Sequence, residues 1–207
     1  MKITRSANSG VLLVLDGVKI LLDGVCNELP PYLGTPENIR REFSQDPPDI
    51  FAVTHFHPDH CDEDFFLGYS RAGNGIALAP GIGRTATVGQ VTVTAVDTRH
   101  IGKGNVPHVS YVISGSRRVW FMGDASPLSL GSFGDYLSPH LIIAPYAYAN
   151  TPLSYKNTKG LGADNVIIMH LPNPEGDEYG ILDSVLGCTA GDTAFRFPQM
   201  NETLNFD

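Results

Sequence analysis

Three imidazoles and one carboxylate fall within six consecutive residues, His55-Phe56-His57-Pro58-Asp59-His60, directly after the apolar run that ends at Thr54. The run from Asp49 to Thr54 has the length and composition of a buried strand, so the ligand-type side chains stand where a sheet holds them rigidly. Alternate residues of an extended segment share a face, which lets His55 and His57 address one ion. Pro58 then turns the chain and sends Asp59 and His60 toward a second. A lone histidine is ordinarily a surface or core residue, but this density of donors points to a metal centre.

The rest of the chain must supply the frame. Gly10 to Leu15 and Lys19 to Leu22 flank Asp16-Gly17, the pattern of a tight hairpin. Thr35-Pro36-Glu37 reads as an N-cap followed by proline at the first helical position, with Ile39 and Phe43 on the apolar side, and Pro47-Pro48 ends that helix. Glu63 to Arg71 reads as a second helix with Phe65, Phe66 and Tyr69 inward. Strand-like runs follow at Ile76 to Ala79, Val91 to Val96, Val109 to Ile113, Val119 to Met122, Leu141 to Ala144 and Val166 to Met169. Helical pattern returns at Pro152 to Leu161 and Glu178 to Gly187. There is no repeat, low-complexity tract or linker-like shift in composition, so residues 1–207 read as one domain of mixed α and β structure.

Composition narrows the partners. With 22 Gly and 15 Pro against 17% charged residues, the chain favours many turns between short elements. A formal net charge of -8 works against binding a long nucleic acid, which needs clustered Lys and Arg to displace counterions. No stretch approaches the roughly 18 apolar residues of a membrane span, and Val11 to Leu15 stops too soon for a secretory signal. The three cysteines, Cys26, Cys61 and Cys188, form neither a disulfide framework nor a C-x-x-C pair. A cytoplasmic location is therefore expected, with a small molecule as the ligand; the oligomeric state is open.

The H-x-H-x-D-H run, the later Gly123-Asp124 at the end of an apolar run and His170 after Val166 to Met169 resemble the metallo-β-lactamase superfamily over nearly the whole chain. The resemblance implies an α/β (α+β) fold, a four-layer αββα sandwich of two mixed sheets with outer helices. It also implies that Asp124 bridges two metal ions and that His170 joins Asp59 and His60 on the second. One further histidine completes the first ion beside His55 and His57. Two candidates stand between the motif and Gly123: His100, which follows Val91 to Val96 through Asp97-Thr98-Arg99, and His108, three residues before Tyr111. His100 is preferred, with His108 as an orienting neighbour or pocket wall. Asp23, after Ile20 to Leu22, matches an acidic position that orients a ligand histidine in relatives.

Such a set of His55, His57, Asp59, His60, His100, Asp124 and His170 implies two divalent ions, zinc first, with manganese or iron as alternatives. Two ions lower the pKa of a shared water, provide a hydroxide nucleophile at neutral pH and polarise the bond under attack, so no serine or cysteine nucleophile is needed. Asp59 steers or accepts a proton, and Asp59 and Asp124 are the catalytic carboxylates. The expected function is metal-dependent hydrolysis of a small-molecule ester, lactone or phosphodiester. The chain lacks the long helical extension of glyoxalase II type thioesterases and resembles the minimal L-ascorbate-6-phosphate lactonase-like branch. Two alternatives stay open: a mononuclear iron thiol or persulfide oxygenase of the same superfamily, and a non-catalytic metal-binding sensor. Tyr146 and Tyr148 are candidate pocket walls, Cys61 a buried thiol and His140 an exposed loop residue.

Overall fold

Asp16 and Gly17 both adopt positive φ, 51° and 83°, the left-handed pair that a two-residue hairpin turn needs. They join β2 (Val11–Leu15) to β3 (Val18–Leu22) with Leu15 opposite Val18. The structure, a computed structural model, describes residues 1–102, 105–136 and 138–206. Among these, the hairpin extends into a six-stranded mixed sheet, in the order β13 (Thr203–Asn205), β1 (Lys2–Arg5), β2, β3, β4 (Ile50–Ala52), β5 (Ile76–Leu78). Strands β3, β4 and β5 run parallel, and the others are antiparallel.

A second, seven-stranded sheet runs β12 (Phe195–Arg196), β11 (Asn165–Met169), β10 (Leu141–Pro145), β9 (Arg118–Phe121), β8 (Val109–Ser114), β7 (Val91–Asp97), β6 (Thr85–Val88). Here β9 to β12 are parallel and β6 to β9 antiparallel. The inward side chains of the two sheets, among them Leu13, Ile20, Val93, Tyr111, Phe121 and Ile143, form one buried cluster. Alternation in β2, where Val11, Leu13 and Leu15 are buried, aims one side of the strand into that layer.

Helices cover the outer faces. The first sheet packs Leu21 and Phe51 against Phe43 of α1 (Glu37–Gln45) and Phe66 and Tyr69 of α2 (Glu63–Ala72). Across the second sheet, Trp120 and Ile142 meet Phe133 of the 3-10 stretch Pro127–Tyr136, Tyr155 of α3 (Pro152–Lys159) and Val185 of α4 (Ile181–Thr189). The architecture is therefore helix, sheet, sheet, helix, as expected. No helix among the described residues is long and apolar enough to cross a membrane.

Two local readings need correction. Thr35 does not cap α1. Pro36 occupies the cap position without a side-chain bond, and the Thr35 hydroxyl is used elsewhere, accepting the Cys26 N–H at 3.0 Å. The other concerns the short strands β1, β6, β12 and β13, which carry too few apolar residues to register as strands by periodicity; pairing with a neighbour makes them.

Strands β3, β4, β7, β9 and β11 all deliver a chemically important residue just past their C-terminal ends: Asp23, the His55 to His60 loop, His100, Asp124 and His170. The two sheets are tied beside that rim, where the Tyr111 hydroxyl donates to Val53 O at 2.9 Å and the Val109 N–H to Thr54 O at 3.0 Å.

Candidate metal centre

The loop after β4 folds back at Pro58, with the His60 and Cys61 N–H groups both bonded to His57 O at 2.9 Å. That turn brings His60 beside His55, ring centroids 4.2 Å apart, rather than sending it onward. His55 Nε2 lies 3.0 Å from His57 Nδ1, and with His100 these two form a trio whose ligand atoms lie within 4.8 Å of one another. Asp59, His60 and His170 form a second such trio, and Asp124 stands with His55 and His60 in a third. Asp124 therefore lies between the other two: Oδ1 is 3.3 Å from His60 Nε2, and Oδ2 is 3.7 Å from His100 Nε2 and 3.5 Å from His170 Nε2. His170 Nε2 is also 3.0 Å from Asp59 Oδ2.

The lone pairs aimed inward are fixed from behind. Buried Asp23 accepts the Thr54 N–H on Oδ1 at 2.7 Å, and the Thr54 hydroxyl on Oδ2 at 2.6 Å. His60 Nδ1–H completes the set on Oδ2 at 2.9 Å. With its hydrogen committed to Asp23, the Thr54 hydroxyl can only accept from His55 Nδ1–H, 3.0 Å away. One carboxylate thus orients two imidazoles with Nε2 turned toward the centre, that of His55 against His57 Nδ1 and that of His60 without a hydrogen bond. His100 reaches the same state alone, its Nδ1–H bonded to Ile101 O.

Charge follows the geometry. Burial pushes the His55 imidazole far below its ordinary range and lowers His100, so both are neutral donors. Burial also works against charge on His60, but Asp124 and Asp23 outweigh it and hold the ring well above its ordinary range. Asp124 itself, against its own burial, is held well below by His60 and His170.

His60 Nε2, His100 Nε2, His170 Nε2 and Asp124 Oδ1 are buried, and although some lie close to one another, none is aligned in a hydrogen bond among the described residues. Stranding so many polar atoms together is costly unless something binds them. The donor set fits metal cations: His55, His57 and His100 form one group, Asp59, His60 and His170 another, and Asp124 stands with His55 and His60 in a third.

No protein-family model matches the chain, and no curated protein matches it in sequence. Solved structures do. An isothiocyanate hydrolase from Delia radicum gut bacteria superposes with a TM-score of 0.65 at 14% identity, covering 100% of this chain and 99% of its own. A protein described as a possible metal-dependent hydrolase from Veillonella parvula gives 0.69 at 13% identity over 100% and 99%. The metallo-β-lactamase fold protein YhfI from Bacillus subtilis gives 0.64 at 16% identity over 99% of each chain. This chain has the metallo-β-lactamase fold.

Within the metallo-β-lactamase frame, all seven residues singled out as donors converge, and His108 is separated from them by its bonding. Its Nε2 accepts the Asp124 N–H at 3.0 Å and its Nδ1–H is 2.8 Å from Thr98 Oγ1. Thr98 passes a hydrogen to Ser110 Oγ at 3.0 Å, and Ser110 donates to Met122 O at 2.9 Å. Both ring nitrogens are spoken for, and burial lowers the ring to about 3, so His108 is a neutral clamp on the Asp124 backbone.

Other expectations divide. Tyr148 is fully buried, packed in the outer layer of the second sheet. Tyr146 is half-buried, its ring 6.2 Å from that of His170. His140 is not an exposed loop residue; half-buried, it accepts the Arg118 N–H at 3.0 Å. Cys61 is buried and its thiol is pushed up by burial, so it stays protonated. Sequence reading passed over Thr54 and Tyr32. The first is a hydroxyl relay, and the second packs its ring edge-on against His170 at 4.2 Å. Neither carries a local sequence signal of that role.

Proposed function

We propose that the chain is a hydrolase carrying two divalent metal ions, zinc in the first instance, that cleaves a small-molecule ester, lactone or phosphodiester. His55, His57 and His100 would hold one ion and Asp59, His60 and His170 the other, with Asp124 placed to serve both. Ions held there supply an activated water and a Lewis acid for the bond under attack. The observation that carries this reading is the convergence of unpartnered, buried donors on one point.

The chain's own residues do the rest. Asp23 and Thr54 hold the His55 and His60 rings in orientation, and His108 holds the Asp124 backbone. Asp59 accepts from Asn8 Nδ2 at 3.5 Å, which leaves its carboxylate able to orient a water or take a proton. The rings of Tyr32 and Tyr146 both flank that of His170, at 4.2 Å and 6.2 Å, where they can bound the substrate. Imidazole-rich donor sets with carboxylates suit zinc, and the net charge of -8 favours a small ligand over a polyanion. A compact lactonase-like hydrolase is the branch these features favour. The test is a hydrolysis screen of lactones, esters and phosphodiesters with the metal-loaded protein. Turnover of one class, abolished by chelation and by Asp59→Asn, is expected; no turnover of any class in a protein of full metal content defeats the hydrolase reading.

A further inference from the structure

Arg5 is a cation with no acidic partner among the described residues. Its Nη1 donates to Pro198 O at 3.0 Å, its Nε to Ala7 O at 3.2 Å and its Nη2 to Asn8 O at 3.4 Å, all of them neutral carbonyls. Ion pairs among the described residues engage Lys19, Arg40, Arg84 and Lys159 as well as histidines, but not Arg5. Burial works against its charge, yet a guanidinium remains protonated. Three carbonyls use three of its five N–H donors, and Arg5 is among the residues lining a cleft of about 300 Å³ together with Asn8, Leu171, Asn173, Leu182 and Gln199.

That cleft adjoins the metal centre. Asn8 O takes the Arg5 guanidinium and also the His170 N–H at 3.4 Å, while the Asn8 side chain reaches Asp59. Leu33 and Leu171, the neighbours of Tyr32 and His170, belong to its wall. The guanidinium is not the sole tie to the C-terminal segment, because the Arg5 backbone also donates to Glu202 O at 3.0 Å and accepts from Asn201 N–H at 2.9 Å. In a chain of net charge -8, an unneutralised guanidinium in a cleft is a selective feature.

We propose that this cleft is an anion subsite: it takes a carboxylate or phosphate group carried by the substrate, remote from the bond that is cleaved. Naming the ligand a substrate rests on the hydrolase reading; the binding of an anion beside Arg5 does not. Guanidinium hydrogen bonds to an oxyanion are charge-assisted, and a planar fork suits both groups.

The experiment is a titration of the metal-loaded, 15N-labelled protein with inorganic phosphate and, separately, with acetate, followed by NMR. The Arg5 Nε–H and Asn8 side-chain amide signals should shift with saturation. Arg5→Gln should weaken that binding at least tenfold at unchanged metal content. Leu182→Trp, which fills the cleft from α4 and leaves the Arg5 contacts intact, should weaken it too and serves should Arg5→Gln not fold. Saturation by phosphate alone assigns a phosphate group, by acetate alone a carboxylate, and by both an anion of either kind. Shifts at Arg5 by neither anion, or wild-type affinity in Leu182→Trp, overturn the subsite. Such a failure leaves metal content and hydrolysis untouched, so it is distinct from failure of the hydrolase reading.

Discussion

The backbone N–H of Asp124 reaches His108 Nε2 at 3.0 Å, and that bond separates two histidines that look alike in the sequence. A ring whose nitrogens both have partners orients; a ring with Nε2 stranded, as in His100, is able to ligate. His100→Ala should therefore abolish binding of one ion, while His108→Ala should weaken metal binding by about 10 to 100-fold without removing either ion. Metal titration of the two variants checks the order, and the reverse order would make His108 the ligand.

Asp23 is the residue on which two tautomers depend. Asp23→Asn keeps the shape but presents an N–H where His60 or Thr54 now donates. The expected result is a drop in metal affinity of about 10 to 100-fold, with a loss of stability of about 1 to 3 kcal/mol in the metal-free protein. Denaturant unfolding with and without metal separates the two effects.

Gly123 precedes Asp124 at φ +53°, and a Cβ there would stand 2.6 Å from the Thr54 side chain. Gly123→Ala should strain the turn and push Thr54 out of line, so that unfolding by denaturant comes earlier and metal affinity falls in the same variant.

Asp192 gives a test remote from the centre. Its carboxylate is pulled down to about 2 by Lys159, then by the Tyr155 hydroxyl at 2.8 Å and the Ala194 N–H at 3.0 Å. A carboxylate whose folded value lies below its ordinary 3.8 contributes stability that is present above that value and is lost as pH falls toward 2. Asp192→Asn should therefore narrow the gap in stability between pH 5 and about pH 2, and added salt should shrink the difference because Lys159 is half exposed. An unchanged acid dependence would mean that the ion pair does not form in solution.

Legibility in the sequence followed the physics of each feature. His55 to His60 were readable because the donors are contiguous and follow an apolar run; Asp124 and His170 were readable by resemblance because each ends a strand. The two apolar faces of the sheets were readable as runs of Val, Ile and Leu. Thr35 misled because a hydroxyl near a helix start has more than one acceptor or donor within reach, and here it serves Cys26. Strands β1 and β13 pair residues about 200 positions apart, such as Lys2 with Asn205, which no local window detects. For the same reason the cleft at Arg5 was invisible: its walls come from both chain ends and from the segment after His170. His108 could be told from His100 only by its partners, which the fold supplies.

The most direct measurement is the metal content of the purified protein and of Asp124→Ala, by elemental analysis alongside a folding check. About two zinc ions per wild-type chain, with a marked loss in a still-folded Asp124→Ala, is the predicted result. A wild-type protein that takes up no metal after reconstitution, or an Asp124→Ala protein with undiminished content, would contradict the bridged two-ion centre; one tightly held iron would move the reaction from hydrolysis to oxidation.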